Sequence, residues 1–250
     1  MNLDFVTLTL DNLETEHLSC IIRSKKPHPG VEAKRRWLAE RIPEGHIFRK
    51  LNVKEAVFIE YAPLETAWIP ISGENYLYLY CLWVSGSYKG QGIGQALLES
   101  CLADAERQGK SGVCMLGSRK QKAWLSDQAF AKKFNFRVVD QTENGYDLLA
   151  LSFDNTLPRF AQNVKQMRIE NQELTLFYDD QCPFINQYIE TIRKECAADA
   201  IPLSLNPIDS LEKAKSLPCV FNNWACFYKG HFETVNLLNL DALKRILRKG

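Results

Sequence analysis

Three short stretches carry residues whose chemistry packing alone does not explain. The first is Lys89-Gly90-Gln91-Gly92-Ile93-Gly94-Gln95. Glycines let the backbone approach a ligand with no side chain in the way. A helix starting among them offers unpaired N–H groups and the positive end of its dipole, which attract phosphate. The spacing separates the phosphate loops that fit: Gly-Lys-Ser/Thr is absent, and Gln95 stands where a GxGxxG fingerprint needs its last glycine. A glycine-rich turn ahead of a core helix is the alternative. The second stretch holds Glu60, an acid in the otherwise apolar run AVFIEYA. Burial there raises a carboxyl towards neutrality and makes it a candidate general base; an outward-facing strand residue is the alternative. The third holds Cys182, in Asp-Asp-Gln-Cys-Pro-Phe at 179–184, where a following helix would stabilise thiolate. Ile185 stands where a second cysteine would complete a dithiol motif, which excludes disulfide exchange within it. Monothiol chemistry remains, or an adduct or soft-ligand site shared with Cys219, or a module used for packing or dimerisation.

The elements that must position these residues are legible as periodicities. Tyr76 to Val84 alternates as a strand, Ser85 to Tyr88 turns, and Ile93, Leu97, Leu98, Cys101, Leu102 and Ala105 recur at helical spacing up to a stop at Gly109. Before them come a strand at 5–10, a helical stretch from Asp11 through His17 to Cys20, a loop at 24–30, and a basic amphipathic helix Val31–Arg41 read as a solvated face. Strands at 48–50 and 56–61 follow. His28 and His46 stand alone and read as structural. After Gly109 come a strand at 113–116, a helix at 127–134 and an antiparallel pair at 135–139 and 146–151. Residues 154–172 break the pattern and read as a linker or short connecting helix between a domain at 1–153 and another at 173–250. The second reads as a strand at 174–178, a helix at 185–197, a strand at 202–205, a short helix at 211–215, a hairpin of 217–221 with 226–233, and a helix at 240–247.

Composition sets the outer bounds. The 250 residues are 46% hydrophobic and 24% charged, globular material long enough for one large or two small domains. A net charge of +1 gives no electrostatic case for nucleic acid or an anionic membrane as partner. Met1-Asn2-Leu3-Asp4 does not begin a signal peptide and no apolar run has transmembrane length, so a cytoplasmic protein is expected. Eight cysteines without CxxC spacing read as reduced thiols, with no disulfide framework or metal site. Cys20, Cys81, Cys101, Cys114 and Cys196 lie on apolar faces as core filler.

The strand-loop-helix at 76–109 resembles the acyl-CoA loop of the GNAT acetyltransferases, whose pattern is [Arg/Gln]-x-x-Gly-x-[Gly/Ala], with Lys89 in the Arg/Gln place. The resemblance covers about residues 3–153 and implies a mixed, mostly antiparallel α/β sheet flanked by helices. It implies acetyl-CoA as co-substrate, with the amides from Gly90 through Gln91, Gly92, Ile93 and Gly94 to Gln95 holding the pyrophosphate and the backbone of Trp83 and Val84 pairing with pantetheine. The tyrosine that donates a proton to the leaving thiolate in much of the family falls at Ala131, and Asn135 replaces the glycine of the following turn. Ser126, Tyr88 and Tyr146 could serve as donors, against the structural reading that each carries first. The C-terminal order βαβ…ββα resembles a thioredoxin fold, by which analogy Pro218 would be cis and face Cys182. The two halves together resemble GNAT proteins with a YoaP-like C-terminal domain. The expectation is an acetyl-CoA-dependent N-acetyltransferase of a small-molecule amine with a thioredoxin-like accessory domain. The alternative is a catalytically weakened CoA-binding, or thiol- or soft-metal-responsive, binding protein that uses Cys182.

Overall fold

The computed structural model describes residues 3–20, 27–120, 122 and 124–248. In chain order the elements are β1 (Phe5–Thr7), α1 (Pro29–Arg41), β2 (Ile47–Leu51), β3 (Val57–Pro63), β4 (Ile71–Ser72), β5 (Tyr76–Val84), α2 (Ile93–Arg107), β6 (Gly112–Ser118), α3 (Gln128–Lys133), β7 (Arg137–Gln141), β8 (Tyr146–Ser152) and β9 (Arg159–Phe160). They continue as β10 (Leu174–Tyr178), α4 (Phe184–Ala198), β11 (Leu203–Pro207), α5 (Leu211–Lys215), β12 (Trp224–Tyr228), β13 (His231–Thr234) and α6 (Leu240–Leu247). Two compact units result: Met1–Ala67 with Ile71–Arg159, and Trp68–Pro70 with Phe160–Gly250.

The first unit is a seven-stranded sheet in the order β1-β2-β3-β5-β6-β8-β7, antiparallel except where β5 and β6 run parallel. On one face Val57, Ile59, Tyr61, Leu77 and Leu79 meet Ile93, Leu97, Leu98 and Cys101 of α2, each fully buried leucine contributing about 1.5–3 kcal/mol. A polar brace crosses the same face: Asp104 of α2 accepts from the Tyr61 hydroxyl at 2.5 Å and from Arg49 at 2.8 Å. The opposite face receives α1, which buries Ala33, Lys34, Trp37 and Leu38. Lys34 corrects the reading of this helix as a solvated basic face. The stretch from Asp11 to Cys20 forms turns, not a helix. Asn12 explains why: its side chain accepts from Thr9 N–H and donates to Thr7 carbonyl, competing with helical bonding. Within the expected 24–30 loop, residues 24–26 lie outside the described residues; α1 begins at Pro29, with His28 Nδ1 accepting from Gly30 N–H.

The second unit is a thioredoxin-like sheet in the order β11-β10-β12-β13, with β10 and β11 parallel. Leu174, Leu176, Trp224 and Cys226 pack against Ile185, Ile189 and Ile192 of α4 and Leu243 and Ile246 of α6. Leu217–Phe221 is irregular, so it does not form one arm of the hairpin. The hairpin is β12 with β13, closed by Lys229 and Gly230. Residues 160–172, expected as part of a linker or short connecting helix, contain a short 3-10 helix at Gln162–Gln166 and group with this unit. Met167 N–H donates to Pro218 carbonyl, Ile169 N–H to Gly230 carbonyl, and Asn163 Nδ2 to the Lys215 and Leu217 carbonyls. Gly230 permits this approach: a Cβ there would sit 2.8 Å from Ile169 carbonyl oxygen.

Candidate functional site

The residues expected to hold a nucleotide lie where β5 separates from its parallel neighbour. The β5–β6 ladder spans only Tyr76↔Gly112, Leu77↔Val113 and Tyr78↔Cys114. Beyond it β6 pairs with β8 alone as far as Ser118. β5 stays on β3 to its last residue, Val57↔Val84. Among the described residues, β5 from Leu79 to Val84 therefore has no ladder partner on its β6 side. Register with β3 jumps from Glu60↔Cys81 to Tyr61↔Leu79, so Tyr80 is the extra residue of a β-bulge just past the end of that ladder.

The chain then turns through Gly86–Tyr88 and enters the glycine loop. Gly90 and Gly92 adopt φ of 77° and 78°, the left-handed region that favours glycine, and a Cβ on either would meet nothing within 4 Å. Gly92 is the N-cap of α2, its carbonyl accepting from Ala96 N–H at 3.0 Å. No acidic residue stands in the first turn of α2. Bare backbone, first-turn amides and a dipole end without acidic competition fit the pyrophosphate of a CoA thioester. Lys89, Gly90, Gln91, Gly92 and Gln95 are exposed, Gly94 is half-buried, and Ile93 is buried as the anchor of α2 in the core. The Gln91 side chain donates to Ser87 carbonyl and that of Gln95 to Glu99, so both are held clear of the glycines. Trp83 is 46% exposed and Val84 half-buried on the open stretch of β5.

Glu60 reverses the expectation placed on it. It is fully buried, which removes the outward-facing alternative. Its Oε2 accepts from Lys34 Nζ at 2.7 Å, and its Oε1 lies 2.9 Å from His46 Nε2. Burial works to raise the carboxyl, but the Lys34 ammonium and the His46 contact outweigh it and hold Glu60 below the usual carboxylate range. Burial pushes the His46 imidazole down, against the pull of Glu60. The pair therefore rests as a carboxylate and a neutral imidazole whose Nε2–H donates to it. A carboxylate so held is a poor proton acceptor at neutral pH. Lys34 and His46 were legible only as parts of other patterns: Lys34 falls in the Gly30, Ala33, Trp37, Leu38 stripe of α1, which is the signal that it points inward.

The proton-donor candidates are dispersed. Ala131 is buried in the core beside α2. Asn135 adopts φ of 65°, so it keeps the left-handed turn that a glycine would make there. Tyr146 is buried under Lys122, whose Nζ lies 4.6 Å from the ring centre, while the half-buried Tyr88 hydroxyl is 3.5 Å from Glu55 Oε2 and Ser126 is half-buried.

In the second unit Cys182 precedes α4, is half-buried and packs against that unit's core with Tyr178 and Phe184. Cys219 is fully buried; burial, with Cys226 next to it, pushes its thiol well above the ordinary range. Among the described residues no peptide bond is cis, so Pro218 is trans, against the thioredoxin analogy. Of the presumed core cysteines, Cys101, Cys114 and Cys196 are buried, Cys81 is half-buried and Cys20 is exposed.

A splayed β5–β6 pair with a bare glycine loop feeding α2 defines the acyl-CoA-dependent transferase class of fold. Comparison with known proteins agrees. The model of the acetyltransferase (GNAT) family matches residues 11–136, and the YoaP-like model matches residues 202–245. A Bacillus subtilis (strain 168) protein described as the uncharacterized N-acetyltransferase YoaP is 32% identical over 245 residues, covering 97% of this chain and 98% of its own. Among solved structures, an N-acetyltransferase from Staphylococcus aureus Mu50 aligns with a TM-score of 0.44 and 13% identity over 61% of this chain and 99% of its own. The PaiA N-acetyltransferase of Thermoplasma acidophilum, solved with coenzyme A, aligns with a TM-score of 0.41 and 17% identity over 61% of this chain and 100% of its own. The chain belongs to the GNAT family of acetyltransferases, with a YoaP-like C-terminal segment.

Proposed function

We propose that this acetyltransferase takes its acetyl group from acetyl-CoA at the glycine loop and transfers it to a small-molecule amine, in a catalytic first unit, with the thioredoxin-like second unit, Phe160–Gly250 with Trp68–Pro70, as an accessory domain. The observation that carries this reading is the pair Gly90 and Gly92, both left-handed and facing open space at the N-terminus of α2. The backbone amides from Gly90 to Gln95, with the Lys89 ammonium beside them, bind the pyrophosphate. The free edge of β5 at Trp83 and Val84 aligns the pantetheine arm. Acetyl-CoA supplies an activated thioester when bound. The chain contributes chiefly by orientation, holding donor and amine at the mouth of the splay. With Glu60 held as a low-pKa carboxylate, the amine proton leaves through solvent at the open edge.

The test is calorimetric titration with acetyl-CoA and with CoA, followed by thiol release against a panel of amines. Binding with turnover on any amine is expected, and absence of binding overturns the assignment of the loop. A second reading, a CoA- or thiol-responsive binding protein using Cys182, is supported by the buried Ala131 in the place of the family's donor tyrosine. Tight binding with no turnover on the whole panel favours it. Among the described residues no helix is long and apolar enough to cross a membrane.

A further inference from the structure

The buried charges under β5 are more than a stability feature, because of where they sit. Lys34 from α1, His46 from the approach to β2 and Glu60 from β3 meet with relative exposures of 2%, 3% and 0%. Ion pairs removed from water in this way recover little net stability against an apolar equivalent, so their placement calls for another account. His46 is sandwiched: its ring lies 4.9 Å edge-on to Trp37 and 5.3 Å from the ring of Tyr80, and Tyr80 stands edge-on to Tyr78 at 4.9 Å. Tyr80 is the extra residue of the bulge, and Glu60 is the last β3 residue in register before it. Tyr78 is the last β5 residue paired with β6. The cluster thus touches the strand at the step where it leaves its neighbour.

We propose that Lys34, Glu60 and His46 are positioning residues that fix the Tyr80 bulge and so set where the open edge of β5 begins. Glu60, anchored by Lys34, orients the imidazole through its Nε2–H. The imidazole and Trp37 clamp the Tyr80 ring on the α1 face. Tyr80 cannot then return to regular pairing, and Leu79 to Val84 stay without a partner on the β6 side. No proton leaves or enters the cluster in this role. Its kinetic consequences rest on the donor site proposed above, but its structural consequence does not.

The test uses the full chain with Lys34→Met and Glu60→Gln combined, which removes both charges together and leaves none buried alone. Amide hydrogen exchange across Leu79–Val84 is expected to quicken about tenfold while β6 and β8 hold their protection. KM for acetyl-CoA is expected to rise roughly fivefold or more with kcat within about twofold, since the loss is in alignment of the donor. A folded double variant with unchanged exchange at Leu79–Val84 overturns the proposal. So does an unchanged donor KM with loss of the acid limb of the kcat profile, which would make Glu60 the base after all. If the parent protein neither binds nor turns over acetyl-CoA, the functional assignment fails, and the exchange comparison still decides the role of the cluster.

Discussion

The strand β5 runs into α2 and the strand β10 runs into α4, each through a short turn, yet the two junctions offer a ligand opposite things. At the first, β5 has lost its β6 partner beyond Tyr78, and the turn is built of glycines facing open space. At the second, β10 is paired on both edges up to Tyr178, with β11 at Pro207 and with β12 at Trp224. Its turn carries Cys182 and Pro183, and the cysteine leans on the core. Both helices have a positive end. Only the first has a vacated strand edge and bare backbone beside it. A helix N-terminus does not by itself distinguish the proposed site; the ladder that ends at Tyr78 and the glycine backbone beside it do.

The sharpest way to break this contrast is Gly92→Glu. It adds a carboxylate at the dipole end and a Cβ at a φ of 78°, with no steric clash to unfold the chain. Acetyl-CoA affinity is expected to fall about 100-fold or more in titration calorimetry, from charge against phosphate and loss of bare backbone, while the left-handed backbone, which costs a non-glycine residue about 1–2 kcal/mol, lowers the thermal midpoint by a few degrees without unfolding the chain. Retained affinity in a folded variant would place the donor elsewhere.

Acid should separate the units next. His46 is buried in the first unit, whereas His231, in the second, is exposed. The imidazole of His46 is held below its ordinary value of 6.5 by burial, with Lys34 and Arg41 reinforcing and Glu60 opposing. The unfolded chain binds the proton more readily, so stability rises with pH through this window and is lost as pH falls from about 6.5. The slope reaches about 1.4 kcal/mol per pH unit while His46 is neutral folded and charged unfolded. His17, also lowered by burial and by Lys50, acts in the same direction. Exchange measured between pH 7 and 5 should show the first unit loosening before the second; the reverse order would contradict the assignment.

The smallest effect is expected from Cys182→Ala. Donor affinity and turnover should stay within about twofold if the C-terminal junction takes no part in transfer. Alkylation of the parent Cys182 thiol no faster than a model thiol at neutral pH would remove the reactive-cysteine reading. A tenfold loss of turnover in Cys182→Ala would move the reactive-thiol reading into the reaction itself.

What was legible in the sequence was what is local. The alternation of Tyr76–Val84, the glycines and the stripe from Ile93 to Ala105 are all set by neighbours a few residues away, and each element formed where the pattern put it. The cluster was not legible, because Lys34, His46 and Glu60 are polar residues on three elements, and only tertiary packing makes an inward lysine and a lone histidine partners of one carboxylate. The reversed direction at Glu60 follows from the same cause: the acid was visible, its cation was not. Likewise the apolar run Leu217–Phe221 suggested a strand, but it is an irregular segment, buried except for the half-buried Pro218, with Met167 N–H donating to the Pro218 carbonyl. The open edge of β5 left no mark in composition at all, since a missing ladder partner is a property of β6.

The segment between Phe160 and Gln172 has a consequence for evolution by recombination. Its backbone closes on Pro218 and Gly230, and Asn163 fastens it to the turn after α5. A gene fusion that borrowed the C-terminal module from Glu173 onward would inherit severed seams along the β12–β13 turn. The natural unit of inheritance starts at Phe160, and even that donation would leave behind Trp68–Pro70, which the module draws from the other half of the chain. Two pieces that look like beads on a string in the sequence are thus not separable by a single cut, because residues 68–70 group with the second.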